Sequence, residues 1–167
     1  MAYGKRVNWD GQVALVTGAS SGIGREIVRQ LAQAGATVFA SARREERLVQ
    51  LAAEFPNGGV MPIVADLAEA GTGARLVEQV LAQAGRLDLL VNNAGYGELV
   101  KTDEQTTEAV ARQIQVNFMA VIEATLATIP AMKSQGGGRI LNVASIVGHM
   151  GLPGISAYVA SKHALQG

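Results

Sequence analysis

The sequence predicts a doubly wound α/β fold, in which a parallel β-sheet carries helices on both faces. Two observations support this prediction. Short runs rich in β-branched residues alternate with longer segments of helical periodicity, which is typical of parallel strands joined by crossover helices. The first of these runs also leads directly into a glycine-rich turn, which is where this class of fold binds phosphate groups.

The predicted elements follow one another along the chain without internal repeats. The first strand is predicted at 12–18, and the helix after it carries Ile23, Ile27 and Leu31 on one apolar stripe and ends near Gly35. The remaining elements, apart from one long helix, are a strand at 36–42, a helix at 44–55 closed by Pro56, a strand at 60–66, a helix at 74–85, strands at 87–95 and 139–145, a loop at 146–156 and the start of a last helix.

A long helix is predicted from about 104 to 134, with a bend at Pro130. It carries apolar residues on more than one side, which is typical of a helix buried on several sides. Asp103, Glu104 and Glu108 are expected to form its acidic start, where negative charge complements the helix dipole.

Composition and charge exclude several classes of function. The 14 basic residues balance the 14 acidic ones, so no basic surface points to nucleic acid or to an anionic membrane. With no cysteine and 2 histidines, we expect neither disulfides nor a metal site. The first dozen residues contain no apolar leader, and the longest apolar stretch, 116–132, is interrupted by Glu123 and falls short of a membrane span. We therefore expect a cytoplasmic protein with one domain over 1–167.

The turn TGASSGIG places Gly18, Gly22 and Gly24 between the first strand and the first helix. Glycines let the backbone approach a pyrophosphate, and the helix N-terminus offers unpaired N–H groups. The spacing G-x-x-x-G-x-G differs from the common dinucleotide pattern G-x-G-x-x-G, and a glycine-rich turn without a ligand is the alternative. The position of the turn inside a βαβ unit favours the binding interpretation.

Near its end the sequence reads SAYVASKHALQG, which places Tyr158 and Lys162 on the same face of a predicted helix. Taken alone, such a pair is also typical of an ordinary helix surface. His163 points to a different face from Tyr158, and we interpret it as non-catalytic. His149, in the loop after the fifth strand, is either a surface histidine or a residue that contacts substrate.

Together these motifs resemble the short-chain dehydrogenase/reductase family over almost the whole chain. TGASSGIG resembles the family's cofactor turn, NNAG at 92–95 its fourth-strand motif, and YVASK its Tyr-x-x-x-Lys motif. The resemblance implies a Rossmann-like sheet with strand order 3-2-1-4-5 and a nicotinamide-dependent oxidoreductase that acts on a carbonyl or alcohol. The similarity is greatest to the carbonyl-reducing branch, which includes acyl-carrier-protein reductases and sugar or steroid dehydrogenases.

The resemblance further implies a catalytic tetrad of Asn117, Ser145, Tyr158 and Lys162. Carbonyl reduction needs a proton for the developing alkoxide, and a free phenol with a pKa near ~10 is poorly matched to neutral pH. Cations lower such a pKa, and a shift of two to three units asks for about 3–4 kcal/mol from the lysine and the nicotinamide. Ser145 is expected to donate a hydrogen bond to the carbonyl oxygen.

Family analogy gives two of these residues additional roles. Lys162 is expected to bind a ribose hydroxyl, and Asn117 to hold a water that continues a proton path to solvent. Without the resemblance, Asn117 would be interpreted as a satisfied polar residue in a helix and Ser145 as a turn residue at a strand end.

The end of the second strand indicates which cofactor is preferred. An NAD enzyme of this fold has an acidic residue there, whereas this chain reads FASARR. Arg43 is expected to pair with a 2′-phosphate, and charged hydrogen bonds of about 1.5–3 kcal/mol imply a preference for NADP(H) over NAD(H) of roughly 10- to 150-fold. The alternative is two solvated arginines, Arg43 and Arg44, that open a helix.

Asp66, after the third strand, resembles the family's adenine contact, and a strand-end cap is the alternative. The full cofactor-binding set implied by the resemblance is Gly18, Ser20, Ser21, Gly22, Ile23, Gly24, Arg43, Arg44, Asp66, Leu67, Asn93, Ala94, Gly95, Tyr158 and Lys162.

Three expectations concern the protein as a whole. The resemblance implies a homodimer or homotetramer formed by a four-helix bundle. It also covers only the N-terminal two-thirds of a family member, so the C-terminal strands are expected to be missing and 1–167 alone to aggregate, bind cofactor weakly and show little turnover. The alternative to an oxidoreductase is a catalytically silent dinucleotide-binding or scaffold protein of the same fold.

Overall fold

The computed structural model describes residues 8–167. Its centre is a parallel 5-stranded sheet in the order β3-β2-β1-β4-β5, which confirms the predicted fold class and strand order. The strands are β1 (Val13–Thr17), β2 (Thr37–Ala42), β3 (Val60–Val64), β4 (Leu89–Asn92) and β5 (Arg139–Asn142). The prediction that the first dozen residues contain no apolar leader concerns mainly residues 1–7, which lie outside the described residues.

Helices cover both faces of the sheet. They are α1 (Gly22–Gln33), α2 (Glu45–Ala53), α3 (Thr72–Ala84), α4 (Thr107–Ile114), α5 (Ala120–Ser134) and α6 (Ser156–Gln166). Successive side chains of a strand point to opposite faces. Ala14 and Val16 of β1 therefore pack with α1 and α2, whereas Val13 and Leu15 pack with α3 and α5.

The prediction that Ile23, Ile27 and Leu31 form one buried stripe of α1 is wrong for Ile23. Val28 and Leu31 are buried, and Ile27 packs against the same core, but Ile23 is 63% exposed. The first turn of α1 reaches past the end of the sheet, so the side chain of Ile23 meets the cleft described below instead of the core.

The predicted long helix is two helices joined by a π-helical turn at Gln115–Met119. α4 begins at Thr107, where the hydroxyl of Thr106 accepts a hydrogen bond of 3.2 Å from the Ala109 N–H and caps the helix. The regular α pattern is interrupted at this π turn, and Pro130 lies inside α5.

The acidic start predicted for this helix is correct only in part. Asp103 and Glu104 belong to a separate 3₁₀ turn, Thr102–Glu104, and only Glu108 lies in the first turn of α4. The reason is that Gln105 is extended, which separates the 3₁₀ turn from the helix.

The stretch Thr107–Ser134 is long and apolar enough to span a membrane, with a mean hydropathy of 1.3 over 18 of its residues. The expectation that the apolar stretch falls short of a span was therefore too strict. A helix in the core of a globular protein can have the same length and hydropathy. In this structure α5 packs mainly along α3.

Glu123, the charged residue inside this apolar stretch, stabilises the start of α3. Its carboxylate accepts hydrogen bonds from the N–H groups of Gly71 (3.0 Å) and Gly73 (3.1 Å) and a third from the side chain of Gln115 (3.3 Å). Negative charge at a helix N-terminus is favourable because it meets unpaired N–H groups. Glu123 thereby ties α5 to α3.

Gly73 allows this contact because it brings the two helix backbones together. A Cβ at Gly73 would collide with the Ala120 carbonyl oxygen and would lie 3.0 Å from the Ala124 nitrogen. Both neighbours are helix backbone atoms, which cannot turn away as a flexible side chain can.

We predict that Gly73→Ala destabilises the protein. The added methyl forces α3 and α5 apart, a cost of about 1–3 kcal/mol that exceeds the gain of about 0.5–1 kcal/mol in helix propensity. The measurement is the Tm, which we expect to fall by several degrees. Gly59→Ala is the matched control, because a Cβ there has its nearest neighbours at 3.9 Å. An unchanged Tm for Gly73→Ala would contradict the close packing.

Candidate active site

The site begins where the strand order reverses, between β1 and β4. The Thr17 hydroxyl at the end of β1 accepts hydrogen bonds of 3.1 Å from the N–H groups of both Asn93 and Ala94, which follow β4. It donates to the Val91 carbonyl at 3.3 Å, and the Asn93 side chain donates to the Thr17 carbonyl at 2.9 Å. These bonds fix the two strand ends where the chain turns away to open a crevice.

The glycine turn fits closely against this joint. Gly18 has a φ of +68°, and a Cβ there would lie 2.9 Å from Ala94 Cα. A Cβ at Gly24 would collide with the Gly18 carbonyl and the Asn93 amide. Both positions therefore require glycine, Gly18 for its conformation as well as for space.

The N-terminus of α1 opens into the crevice. Its N-cap, Ser21, makes no side-chain hydrogen bond to the helix. The Ser21 hydroxyl instead accepts from Arg44 at 2.7 Å, and the Ser20 hydroxyl accepts from the same guanidinium at 2.8 and 3.1 Å. Arg44 thus links the end of β2 to the glycine turn.

Arg43 differs from its neighbour. Both side chains are exposed and line the crevice, but Arg43 forms no hydrogen bond or ion pair within residues 8–167. The two arginines, which look equivalent in the sequence, therefore have different surroundings.

The crevice is a cleft of about 640 Å³ that runs from the end of β2 to α6. Of the residues predicted to bind cofactor, those that line it are Gly18, Ser20, Ser21, Gly22, Ile23, Arg43, Arg44, Asp66, Leu67, Asn93, Ala94, Gly95, Tyr158 and Lys162. Gly24 lies behind the turn, and Asn117 and Ser145 do not line the cleft as the structure stands. The structure thus brings the predicted phosphate-binding turn and the Tyr158–Lys162 pair into one cleft.

Asp66 lies at the end of the cleft beside β3. One of its oxygens accepts from the Ala68 N–H at 3.0 Å, as expected for a turn at a strand end, and the other forms an ion pair of 3.2 Å with Arg112 of α4. The carboxylate also faces the cleft, so the structure is compatible with both interpretations given above. Its contact with adenine remains a prediction.

Tyr96 lines the cleft beside this ion pair. Burial raises the pKa of its phenol, and the negative charge of Glu98 acts in the same direction. The cations Arg112 and Arg43 oppose this shift without cancelling it. Tyr96 therefore stays protonated at neutral pH and can donate a hydrogen bond into the cleft.

Lys162 is buried at the other end of the cleft, with 4% of the residue exposed. Its ammonium donates a hydrogen bond of 2.9 Å to the Val143 carbonyl and lies 5.8 Å from the centre of the Tyr158 ring. Burial lowers the pKa of Lys162, because the charged form loses its hydration. A Cβ at Gly95 would lie 3.5 Å from the ammonium, so this glycine keeps the space above it open.

Tyr158 is half-buried, and the backbone of Gly97 packs against its ring. A Cβ at Gly97 would lie 2.9 Å from the ring carbon Cγ and 3.2 Å from Cδ2. Gly97 therefore limits how far the ring can move toward the loop after β4.

Asn117, fully buried in the π turn, holds two parts of the site together. Its amide oxygen accepts from the Tyr96 N–H at 3.0 Å, and its amide nitrogen donates to the Tyr96 carbonyl at 2.8 Å and to the Ser161 hydroxyl at 3.0 Å. The amide is thereby satisfied and connects the loop after β4 with α6. The predicted water-mediated proton path remains a prediction.

The other predicted polar residues lie at the edge of the site. The Ser145 hydroxyl accepts a long hydrogen bond of 3.4 Å from the Val147 N–H and is partly buried. His149 is exposed, and the exposed His163 ring contacts the Val159 carbonyl at 2.9 Å. Within residues 8–167, no group of three or more histidine or carboxylate side chains is arranged to hold a metal ion.

Sequence reasoning missed several residues that shape the cleft. Thr17 could have been noticed from its place directly before the glycine turn, and Gly97 from its place two residues after NNAG. Arg112 and Ser161 lie on helix faces that carry no local signal, so only the folded chain brings them to the site.

Comparisons with known proteins agree with this geometry. The family described as short chain dehydrogenase matches residues 12–167. The 3-ketodihydrosphingosine reductase of Bacteroides thetaiotaomicron is 35% identical over 156 residues, covering 93% of this chain and 55% of that protein. The 3-oxoacyl-acyl-carrier-protein reductase of Thermotoga maritima is 40% identical over 158 residues, covering 92% and 63%. The chain thus spans about half to two thirds of the length of these relatives.

Solved structures give the same result. A metagenomic short-chain oxidoreductase in complex with NADP has a TM-score of 0.89 and 37% identity, covering 95% of this chain and 73% of that one. A short-chain dehydrogenase from Streptomyces avermitilis has a TM-score of 0.87 and 37% identity, covering 93% and 57%.

Proposed function

The chain belongs to the short-chain dehydrogenase family, and from this premise we propose that it is an NADP(H)-dependent oxidoreductase that interconverts a carbonyl group and an alcohol. The observation that carries the proposal is the placement of Tyr158 and Lys162 in the same cleft as the glycine turn. A protein that only binds a dinucleotide has no chemical need for a phenol and a buried ammonium at that place.

The cleft fits a dinucleotide at its phosphate-binding end. Gly18 and Gly22 have positive φ, and the open space next to Gly22 leaves the start of α1 accessible. Uncapped N–H groups at a helix start favour a phosphate. Asp66 and Tyr96 line the region beyond β3 and β4, where an adenine ring would lie. A nicotinamide held at the opposite end, beside Tyr158 and Lys162, would supply the hydride.

The residues around Tyr158 supply the proton and the charge stabilisation. As the carbonyl carbon gains the hydride, the phenol gives its proton to the oxygen, and the product is an alcohol. The Lys162 ammonium, held by the Val143 carbonyl, stabilises the phenolate that remains. Ser145 donates a hydrogen bond to the oxygen on which charge develops, and its O–H is free to do so while its oxygen accepts from the Val147 N–H.

We predict that Tyr158→Phe, made in the whole protein, abolishes most of the turnover. The variant keeps the ring packed against Gly97 but removes the transferable proton, so kcat should fall by at least roughly 10²–10⁴-fold. NADPH binding, measured in the same variant by fluorescence titration, serves as the control and should be retained. Turnover close to that of the parent protein would remove Tyr158 from the mechanism. Cofactor binding without turnover of any carbonyl by the parent would favour the scaffold alternative.

The preference for NADP(H) rests on the different hydrogen bonds of the two arginines. Arg44 is held by Ser20 and Ser21, whereas Arg43, in the same wall of the cleft, has no such partner within residues 8–167. The guanidinium of Arg43 is therefore available to a 2′-phosphate and can pair with it bidentately. We assign Arg44 to orienting the glycine turn and Arg43 to recognising the phosphate.

We predict that Arg43→Gln weakens NADPH binding by roughly 10- to 150-fold, the equivalent of a charged hydrogen bond, and changes NADH binding little. Dissociation constants for both cofactors provide the measurement. Arg47→Gln is the control, because Arg47 is an exposed arginine of α2 outside the cleft. Equal losses for both cofactors, or no loss for NADPH, would contradict the assignment.

We further propose that the whole protein is a homodimer or homotetramer. α5 exposes Leu126 (64%), and Met119 at the end of the π turn is 41% exposed, although this segment is among the most apolar of the chain. Exposed apolar residues on adjoining helices are typical of a surface that a second copy covers.

We predict that sedimentation equilibrium at micromolar concentration gives the mass of a dimer or tetramer. The variant Leu126→Lys places a charge on the exposed face and should shift the equilibrium toward the monomer while leaving the circular-dichroism spectrum of the fold unchanged. A monomeric parent protein would contradict the proposed assembly.

A further inference from the structure

We propose that the substrate's carbonyl carries an extended apolar chain, and that this chain lies against apolar side chains of the loops after β4 and β5. The inference rests on the function proposed above and specifies its substrate class. It distinguishes an alkyl or acyl ketone from a polyhydroxylated one such as a sugar.

Four large apolar side chains of these loops are exposed. They are Leu99 (83%), Ile146 (75%), Met150 (47%) and Leu152 (41%), and we call them the apolar rim. Single exposed apolar residues are common, but a group of them at one site indicates a surface that binds an apolar partner. Leu99 and Ile146 are more exposed than any other large apolar residue of 8–167.

The two loops lie together. The Val100 N–H donates a hydrogen bond of 2.8 Å to the Gly154 carbonyl, which joins the loop after β4 to the loop after β5. A Cβ at Gly154 would lie 2.9 Å from a methyl group of Leu99. Both loops leave the carboxyl edge of the sheet, which is where ligands bind in folds of this class.

Along the chain, the rim residues stand close to the groups proposed to react. Ile146 directly follows Ser145, and Leu99 lies two residues beyond Gly97, which packs on the Tyr158 ring. The loop that carries Met150 and Leu152 leads into α6. We therefore expect a substrate with its oxygen between the Ser145 hydroxyl and the Tyr158 phenol to direct its remaining atoms toward the rim.

The loop after β5 offers little to a polyhydroxylated substrate. Residues 143–157 read VASIVGHMGLPGISA and contain no Asp, Glu, Lys or Arg, so their polar side chains are His149 and two serines. The Ser156 hydroxyl already donates to Gln105 at 3.1 Å, and Lys101 of the other loop pairs with Glu104 at 3.5 Å. A sugar needs several hydrogen-bonding side chains, whereas an alkyl chain needs apolar surface only.

The experiment compares ketones that share one reacting group. With the whole protein and saturating NADPH, kcat/KM is measured for 2-butanone, 2-hexanone, 2-octanone and 2-decanone, and for dihydroxyacetone as the polyhydroxylated ketone. We expect kcat/KM to rise by about two- to fourfold for each added methylene, and dihydroxyacetone to be the poorest substrate.

Variants show whether the rim is responsible. Leu99→Ser and Ile146→Ser remove exposed apolar surface without opening a core cavity, so both should keep the parent Tm. They should reduce the dependence on chain length while leaving 2-butanone reduction within about twofold. Val49→Ser is the matched control, because Val49 is a 52% exposed residue of α2 and should leave the series unchanged.

Two failures can be told apart. Reduction of all five ketones at similar kcat/KM overturns the inference alone, leaves the oxidoreductase standing and assigns the rim to a protein contact. A chain-length dependence that both rim variants retain also overturns it. If no ketone oxidises NADPH, and none of the matching alcohols reduces NADP, the proposed function itself fails and the inference with it.

Discussion

The rest of the site depends on the hydrogen bonds that the Thr17 hydroxyl makes at the end of β1. A doubly wound sheet needs a crevice where its strand order reverses, but diverging strands leave backbone N–H groups without partners. One side-chain oxygen satisfies two of these groups, at Asn93 and Ala94. Because the end of β4 is fixed in this way, Gly18 and Gly24 can pack against it without an intervening side chain. The shape of the glycine turn is thus set from the neighbouring strand.

At the opposite end of the cleft, glycines set the spacing of the functional groups. Gly95 leaves room above the Lys162 ammonium, and Gly97 places backbone against the Tyr158 ring. Burying an ammonium is costly unless it is hydrogen-bonded, and the Val143 carbonyl meets that need from the end of β5. The position of Lys162 therefore depends on the fifth strand as well as on its own helix.

The alternation of apolar runs predicted all five strands because it is a property of whole segments, and the strand order that the family resemblance implied is also confirmed. The sequence-based prediction failed where the conformation or the contacts of a single residue depend on its neighbours in the folded chain. The apolar periodicity predicted one continuous helix and did not indicate the π turn around Asn117. Ile23 fits the stripe of α1 but meets the cleft, and Arg43 and Arg44 differ only through the position of Ser20 and Ser21. Such details depend on contacts between segments far apart in the chain.

Asn117 anchors one end of the loop that packs on the Tyr158 ring. The loop after β4 is held at Tyr96 through both backbone groups and again at Val100 through Gly154. The short arch of Gly97, Glu98 and Leu99 between these points makes no hydrogen bond within residues 8–167, but Gly97 packs on the Tyr158 ring and Leu99 lies against Gly154. The Tyr158 ring is thus held from two sides, by its own helix α6 and by an arch whose two ends are fixed elsewhere in the chain.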